Sequence, residues 1–108
     1  MTDMPPNTPA TARLPLATVL SAISNTQRWH ILYILSKGEP MGPSDLAPLI
    51  GCTPSGASNH LCVLRDAGIV IQSYGRLYRI KPGFLPTPGQ PIMEFGHCLL
   101  RLDEPPKP

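Results

Sequence analysis

The sequence is short of charge, of cysteine and of long hydrophobic runs, and each shortage excludes a class of protein. Charged residues make up 15% of the 108 residues and the formal net charge is only +2, so total charge is weak evidence about partners. Three cysteines are too few for a secreted disulfide framework. No apolar run approaches the ~20 residues of a membrane span, and no export-type cleavage pattern follows the first apolar segment. We therefore expect a cytoplasmic protein.

The residue constellations that carry catalysis are also missing. The sequence contains no nucleophile–base pair, no glycine-rich phosphate loop and no acidic pair in a credible cleft. We predict that the chain is not an enzyme and that it uses no cofactor.

Proline, by contrast, is abundant, and its distribution marks the limits of the folding unit. The chain has 15 prolines, and many of them lie near its two ends. Residues 1–13 and 103–108 lack an apolar period and are predicted to be poorly ordered tails. Residues 14–102 are long enough for one domain, and a hydrophobic content of 42% allows them to bury a core.

The first half of this unit has the pattern of three helices. Four apolar residues at helical spacing predict a first helix that ends near residue 24; they are Leu16, Val19, Leu20 and Ile23. Asn25 can cap a second helix, and Gly38 can end it in the left-handed conformation. A short third helix is predicted from Pro43 to Gly51, with a bend at Pro48.

The second half is predicted to contain a fourth helix, a β-hairpin and a fifth helix. Thr53 and Pro54 are typical of a helix start, and Gly68 is typical of a helix end. β-branched residues over 69–73 and a returning segment over 77–80 predict the hairpin. Helical spacing predicts the fifth helix from Ile92, Phe95, Leu99 and Leu102. The predicted fold class is mainly α (α+β).

The third and fourth helices, joined by a short connection, have the order of a helix-turn-helix, whose second helix enters the major groove of DNA. At 100° per residue, Ala57, Leu61 and Leu64 of the fourth helix share one stripe, which must face the core. The outward residues of its amino-terminal half are small and polar: Ser55, Gly56, Ser58 and Asn59. Small residues let the helix approach the duplex, and asparagine can pair with adenine.

The hairpin that follows carries three basic residues within six positions, Arg76, Arg79 and Lys81. Beside a helix-turn-helix, such a hairpin is predicted to act as a wing that lies over the DNA backbone or the minor groove.

Four segments of the chain share a pattern with one family. They are Arg-x-x-Ile-Leu at 28–32, an acidic-Leu-Ala stretch at 45–47, Ser-Asn-His-Leu-x-x-Leu-Arg-x-Ala-Gly-Ile-Val at 58–70, and Gly-Arg at 75–76. Over roughly residues 16–80 the chain thus resembles the ArsR/SmtB family of bacterial winged helix-turn-helix repressors. The resemblance implies a homodimer built from the first and last helices, binding to a palindromic operator, and release of that operator by a ligand.

The predicted DNA-binding residues combine the helix geometry with this resemblance. His60 belongs to the family pattern, and we predict that it is partly structural and reaches a phosphate. The full set is Ser55, Gly56, Ser58, Asn59, His60, Arg65, Arg76 and Arg79. The predicted partners are double-stranded DNA, a second copy of the chain and an inducer of unknown class: a small molecule, a metal or an oxidant.

The metal-binding motifs for which the family is known are not present in this sequence. The third helix has no Cys-x-Cys pair for soft metals, and the last helix offers only Glu94 and His97 toward a zinc site. The remaining candidates are expected to be structural, because a free cysteine is usually a small buried hydrophobe; they are Cys52, Cys62, His97 and Cys98.

Two alternatives stay open. One is a thiol- or metal-responsive repressor, in which His97 and Cys98 meet their symmetry mates across the dimer, or Cys62 is modified on the DNA-facing side. The other is a winged-helix module for protein interaction, which two features favour: a wing shorter than is usual in the family it resembles, and the low net charge.

Overall fold

Four helices precede two short antiparallel hairpins in the computed structural model, which describes residues 15–86, 90–95 and 99–102. The helices are α1 (Leu16–Ile23), α2 (Thr26–Leu35), α3 (Pro43–Ile50) and α4 (Pro54–Asp66). The strands are β1 (Val70–Gln72), β2 (Tyr78–Ile80), β3 (Ile92–Glu94) and β4 (Leu99–Arg101), and a short 3-10 helix spans Pro82–Phe84. The four predicted helices and the first hairpin are confirmed. The predicted tails, residues 1–13 and 103–108, lie outside the described residues.

The ends of the central helices are determined by local hydrogen bonds. The side chain of Asn25 accepts a hydrogen bond from the Arg28 N–H at 3.0 Å, at the start of α2. The Thr53 hydroxyl accepts one from the Gly56 N–H at 3.0 Å, at the start of α4. Both bonds satisfy backbone donors that have no partner within the helix. Gly51, with φ of 77°, ends α3 and allows the tight connection to α4.

The core is formed by one face of each helix together with the first hairpin. Ala57, Leu61 and Leu64 of α4 have no exposed surface, as the helical spacing predicts. Neighbouring elements contribute further fully buried side chains, among them Ile31, Leu32, Leu46, Ile69 and Ile80. No polar or charged residue is fully buried in the described part of the chain. The inner face of α4 therefore packs against apolar side chains of the neighbouring elements.

The first hairpin is joined to the start of α3. β1 and β2 are antiparallel, with Ile71 opposite Arg79, and Gly75 in their turn has φ of 65°. Met41 and Tyr78 exchange two backbone hydrogen bonds, at 3.0 and 2.8 Å. The segment before α3 is thus attached to β2 by a single antiparallel bridge, which joins the wing to the helix-turn-helix.

The prediction of a fifth helix over residues 92–102 is wrong. In the described parts of this segment, β3 and β4 pair as an antiparallel hairpin, with Met93 opposite Leu100. Burial follows the alternation of a strand, since Met93 and Phe95 are buried while Ile92 is 40% exposed. Leu99, also in the predicted stripe, is 60% exposed. The predicted homodimer interface therefore lacks the fifth helix on which it depends, because residues 92–94 and 99–101 form strands.

The physical reason for this error is that a short segment fits both periods. In residues 92–95, Met93 and Phe95 stand two positions apart, as on one face of a strand, while Ile92 and Phe95 stand three apart, as on one face of a helix. A helix of about eleven residues is only marginally stable without extensive packing. Strand pairing instead buries Phe95 against Phe84, with ring centroids 5.3 Å apart.

The first helix is confirmed, but only part of its apolar stripe is buried. Val19 has no exposed surface, whereas Leu16 and Leu20 are 42% and 48% exposed. One side of α1 therefore presents apolar surface that nothing covers within the described part of a single chain. Among the described residues, no helix has both the length and the apolar character needed to cross a bilayer.

Candidate nucleic-acid interface

The amino-terminal half of α4 presents small polar groups on the side opposite the core. Ser55 and Asn59 are exposed, and Gly56 and Ser58 are half-buried. The inward leucines of the same helix hold this orientation. The start of the helix also carries the positive end of its dipole, which favours a nearby anion.

An open cleft of about 560 Å³ lies between the starts of α3 and α4 and the wing. Ser55 and Ser58 line one side of it, and Gln72 and Arg76 line the other. The elements approach closely here, since a Cβ on Gly42 would lie 3.2 Å from the backbone oxygen of Arg76. The structure thus brings three of the predicted residues, two serines and an arginine, to one cleft.

The same cleft contains one acidic side chain. Asp45 lines it, and its carboxylate accepts a hydrogen bond from the Gly42 N–H at 3.2 Å. This bond places the carboxylate at the start of α3, where a negative charge is favourable for the helix. The cleft is therefore of mixed charge, and its cationic side is the wing.

The predicted arginines do not all lie together. Arg76 is exposed in the turn of the wing, and Arg79 is half-buried in the middle of β2. Arg65 lies in the last turn of α4, with its Nε 3.5 Å from a carboxylate oxygen of Asp66. At about 1.5 Å per residue, Arg65 is roughly 15 Å along the helix from Ser55. It lies at the far end of α4 from the cleft.

His60 faces α2. Its Nε2 lies 2.8 Å from Oε1 of Gln27, and its Nδ1 lies 3.2 Å from a terminal guanidinium nitrogen of Arg28. Partial burial, and secondly the positive charge of Arg28, lower the pKa of His60 below its ordinary value. Both ring nitrogens thus have partners within the chain, so a phosphate contact would have to replace one of them.

The sequence did not predict the contact between Gln27 and His60. Gln27 and His60 are 33 residues apart, and no local spacing relates the first turn of α2 to the middle of α4. The sequence marks Arg28 only as part of the family pattern at 28–32. Ser44 and Gln72, which line the cleft, were not predicted either.

The described cysteines give no cluster of metal ligands. Cys52 and Cys62 are half-buried, and the Cys52 thiol donates a hydrogen bond to the backbone oxygen of Thr53 at 3.3 Å. Within the described ranges, no three histidine, cysteine or acidic residues are grouped so that they could hold a metal ion. His97 and Cys98 lie outside the described residues.

Comparison with known proteins identifies the family. Residues 25–72 match the model of the bacterial regulatory proteins of the arsR family. The fold is similar to the NMR structure of the cadmium metal-sensor CMTR from Mycobacterium tuberculosis, with 38% sequence identity and a TM-score of 0.51. The match covers 60% of this chain and 70% of that chain. The chain belongs to the ArsR family.

Membership of the ArsR family confirms the resemblance seen in the sequence. The matched residues run from the cap of α2 to the end of β1 and include the whole helix-turn-helix. The second strand of the wing and the hairpin of β3 and β4 lie beyond that match. The chain is accordingly a DNA-binding transcriptional regulator, and the ArsR family and this neighbour are regulators, not enzymes.

Proposed function

We propose that this ArsR-family protein is a repressor that binds a specific palindromic operator as a homodimer. The observation that supports this proposal is that the amino-terminal half of α4 presents small polar residues beside a wing that bears Arg76. In this proposal α4 enters the major groove and the wing lies over the adjacent backbone.

The chemistry of α4 supports sequence-specific contacts. Asn59 is exposed and its amide can pair in a bidentate manner with adenine, while the hydroxyl of Ser55 can pair with several bases. Gly56 is half-buried, and a Cβ there would lie 3.3 Å from the Thr53 hydroxyl, so glycine at this position lets the capped start of α4 pack closely. Ser58 of α4 lines the cleft between this helix and the wing, where a phosphate could meet its hydroxyl.

The basic residues divide into two groups in this proposal. Arg76 and Arg79, on the wing, contact phosphates, which position the protein without reading sequence. Arg65 contacts the backbone at the carboxyl end of α4 after its exposed ion pair with Asp66 opens, at small cost because such pairs are weak. His60 is not in either group, because both of its ring nitrogens contact side chains of α2.

The homodimer is supported by the apolar surface of α1. Leu16 and Leu20 are exposed. A separate open groove of about 490 Å³ lies between α1 and α4, lined by Ala17 and by Val63. Two-fold pairing through α1 would cover apolar surface on both copies. It would also present two copies of α4 to half-sites about 10–10.5 base pairs apart. Because DNA is the proposed partner, the proposed location is the cytoplasm.

Binding to the promoter of its own transcription unit, compared with random DNA of equal length at physiological salt, tests this function. Specific regulators bind their sites about 10³–10⁷ times more tightly than other DNA, and sedimentation of the complex should give two chains per operator. Equal affinity for both DNAs would contradict the proposal. A monomer that ignores DNA even at low salt would favour the protein-interaction alternative.

Replacing Arg76 with alanine should weaken binding to operator and random DNA alike. The exposed guanidinium neutralises one phosphate, so its loss should reduce the slope of log affinity against log salt by about one unit. Titrations at several salt concentrations measure this slope. Arg76→Lys keeps the charge and is the matched control, which should retain the slope. Loss of affinity for the operator alone would contradict a pure phosphate contact.

A further inference from the structure

The side chains of Gln27, Arg28 and His60 form a cluster that connects all four helices. Arg28 donates from Nε to the backbone oxygen of Ala22 at 2.6 Å and from a terminal nitrogen to that of Ser21 at 3.4 Å, both near the end of α1. Gln27 donates to the backbone oxygen of Ile50, the last residue of α3, at 3.3 Å. His60 is the one member of the cluster that belongs to α4, and it contacts both of the others.

The hydrogen bonds of this cluster determine the protonation state of the imidazole. Because the amide nitrogen of Gln27 donates to Ile50, its oxygen is the atom that faces His60 and must accept a hydrogen bond. The His60 Nε2 therefore carries the proton. The Nδ1 then has a free lone pair, which accepts a hydrogen bond from Arg28. A second proton on Nδ1 would oppose two N–H donors and two positive charges at 3.2 Å.

We propose that His60 is a positioning residue of the recognition helix α4 that works only as a neutral imidazole, so that its protonation loosens α4 from α2 and weakens operator binding. This inference rests on the proposed DNA-binding function. It assigns His60 a contact inside the protein, where the sequence suggested a phosphate. The two roles predict pH effects of opposite sign, because an imidazole at a phosphate binds DNA better when it is protonated.

The surroundings of His60 contain one charged partner. This partner is Arg28 of α2, 3.2 Å from the Nδ1 of His60. His30, on the same helix, lies near the ring of Tyr33 instead. α1 contributes only backbone oxygens and has no titratable side chain, and β1 has none either.

The remaining charges of the packed elements lie elsewhere. From α3, Asp45 is bound at the opposite end from Ile50. On α4 itself, Arg65 and Asp66 pair with each other more than one turn away. Arg28 therefore dominates the electrostatics of the cluster.

The direction of the pH effect follows from linkage. The folded chain holds the pKa of His60 below its ordinary value of about 6.5 through burial and the charge of Arg28. The neutral form is therefore favoured by the native cluster, and the stabilisation is complete above about pH 6.5. It declines as the pH falls below that value and through the lowered pKa.

The first experiment uses the unmodified protein without DNA. Nitrogen-15 NMR of the imidazole should show the proton on Nε2 above neutral pH, and a pKa for His60 below the ordinary value of histidine. The backbone amides of α4 should shift with the same midpoint as the His60 ring. Amides of α4 that do not follow this titration, or a proton on Nδ1, would overturn the proposal even if the protein binds no DNA.

The second experiment measures operator affinity at about pH 7.5 and about pH 5.5. Below the free-protein pKa, affinity should fall by up to about tenfold per pH unit for each His60, and so by up to about a hundredfold per pH unit for the homodimer, which carries two copies. His60→Gln keeps a donor toward Gln27 but cannot be protonated; it should bind less tightly than the unmodified protein and show no such decline. His30→Gln is the matched control and should retain the decline.

Three outcomes of this titration are decisive. Affinity that rises on acidification in the unmodified protein but not in His60→Gln would identify a phosphate contact and overturn the proposal. An equal decline in His60→Gln would also overturn it. Absence of a specific site at any pH would refute the proposed function, and the NMR titration would then decide the positioning role alone. Circular dichroism at both pH values separates loosening of α4 from global unfolding.

Discussion

Replacing Leu61 with alanine is expected to lower the free energy of unfolding by about 2–5 kcal/mol. Leu61 lies in the middle of the inner face of α4 and has no exposed surface. The substitution removes apolar contacts and leaves a cavity that the surrounding helices can fill only in part. Because small domains are stable by about 5–15 kcal/mol, this loss is a large fraction of the total. Chemical denaturation followed by circular dichroism measures it.

Leu49→Ala is the matched control for this prediction. It deletes the same atoms from α3, but Leu49 is 52% exposed. We expect a loss of about 1 kcal/mol or less, since much of this side chain already contacts water. Similar losses for the two variants would mean that α4 does not face the core as described, and the proposed DNA-facing side of α4 would lose its basis.

Replacing Asn59 with alanine is expected to weaken operator binding by about 1–3 kcal/mol, or about 5–150-fold, while binding to random DNA changes little. Asn59 is exposed, so its amide is available to a base edge and its removal should not affect folding. Binding titrations on operator and random DNA, with an unfolding curve for the variant, measure both quantities.

A systematic set of base-pair substitutions in the operator sharpens this test. If Asn59 reads one base pair, the alanine variant and the corresponding DNA change should not be additive, since each removes the same contact. Arg76→Ala provides the contrast, because a phosphate contact should be additive with every base change. Equal weakening of Asn59→Ala on all sequences would exclude Asn59 as a reader of sequence.

The inner and outer faces of α4 were predictable because they depend on a single helical period. Thirteen residues with a cap at Thr53 leave little freedom in where the helix begins, and three apolar residues then define its inner side. The exposure of Ser55 and Asn59 follows directly from that geometry.

The candidate site was less predictable where it depends on distance along or across helices. Arg65 and Ser55 belong to the same helix, yet ten residues of helix separate them, about 15 Å. His60 lies near the boundary between the two faces of α4. Its direction was set by Gln27 and Arg28, which the helical period of α4 does not involve.

Local chemistry alone determined where α2, α3 and α4 begin and end and how the wing turns, because caps and turns are made by residues within about four positions of one another. Contacts between distant residues decided two further features. Residues 92–94 and 99–101 became strands because pairing and the Phe84–Phe95 contact outweighed a weak helical period. The ring of His60 faces α2 because its hydrogen-bond partners, Arg28 and Gln27, lie there, 32 and 33 residues earlier in the chain. Such choices depend on which segments meet in the folded state, and a pattern read along one segment contains no information about its neighbours.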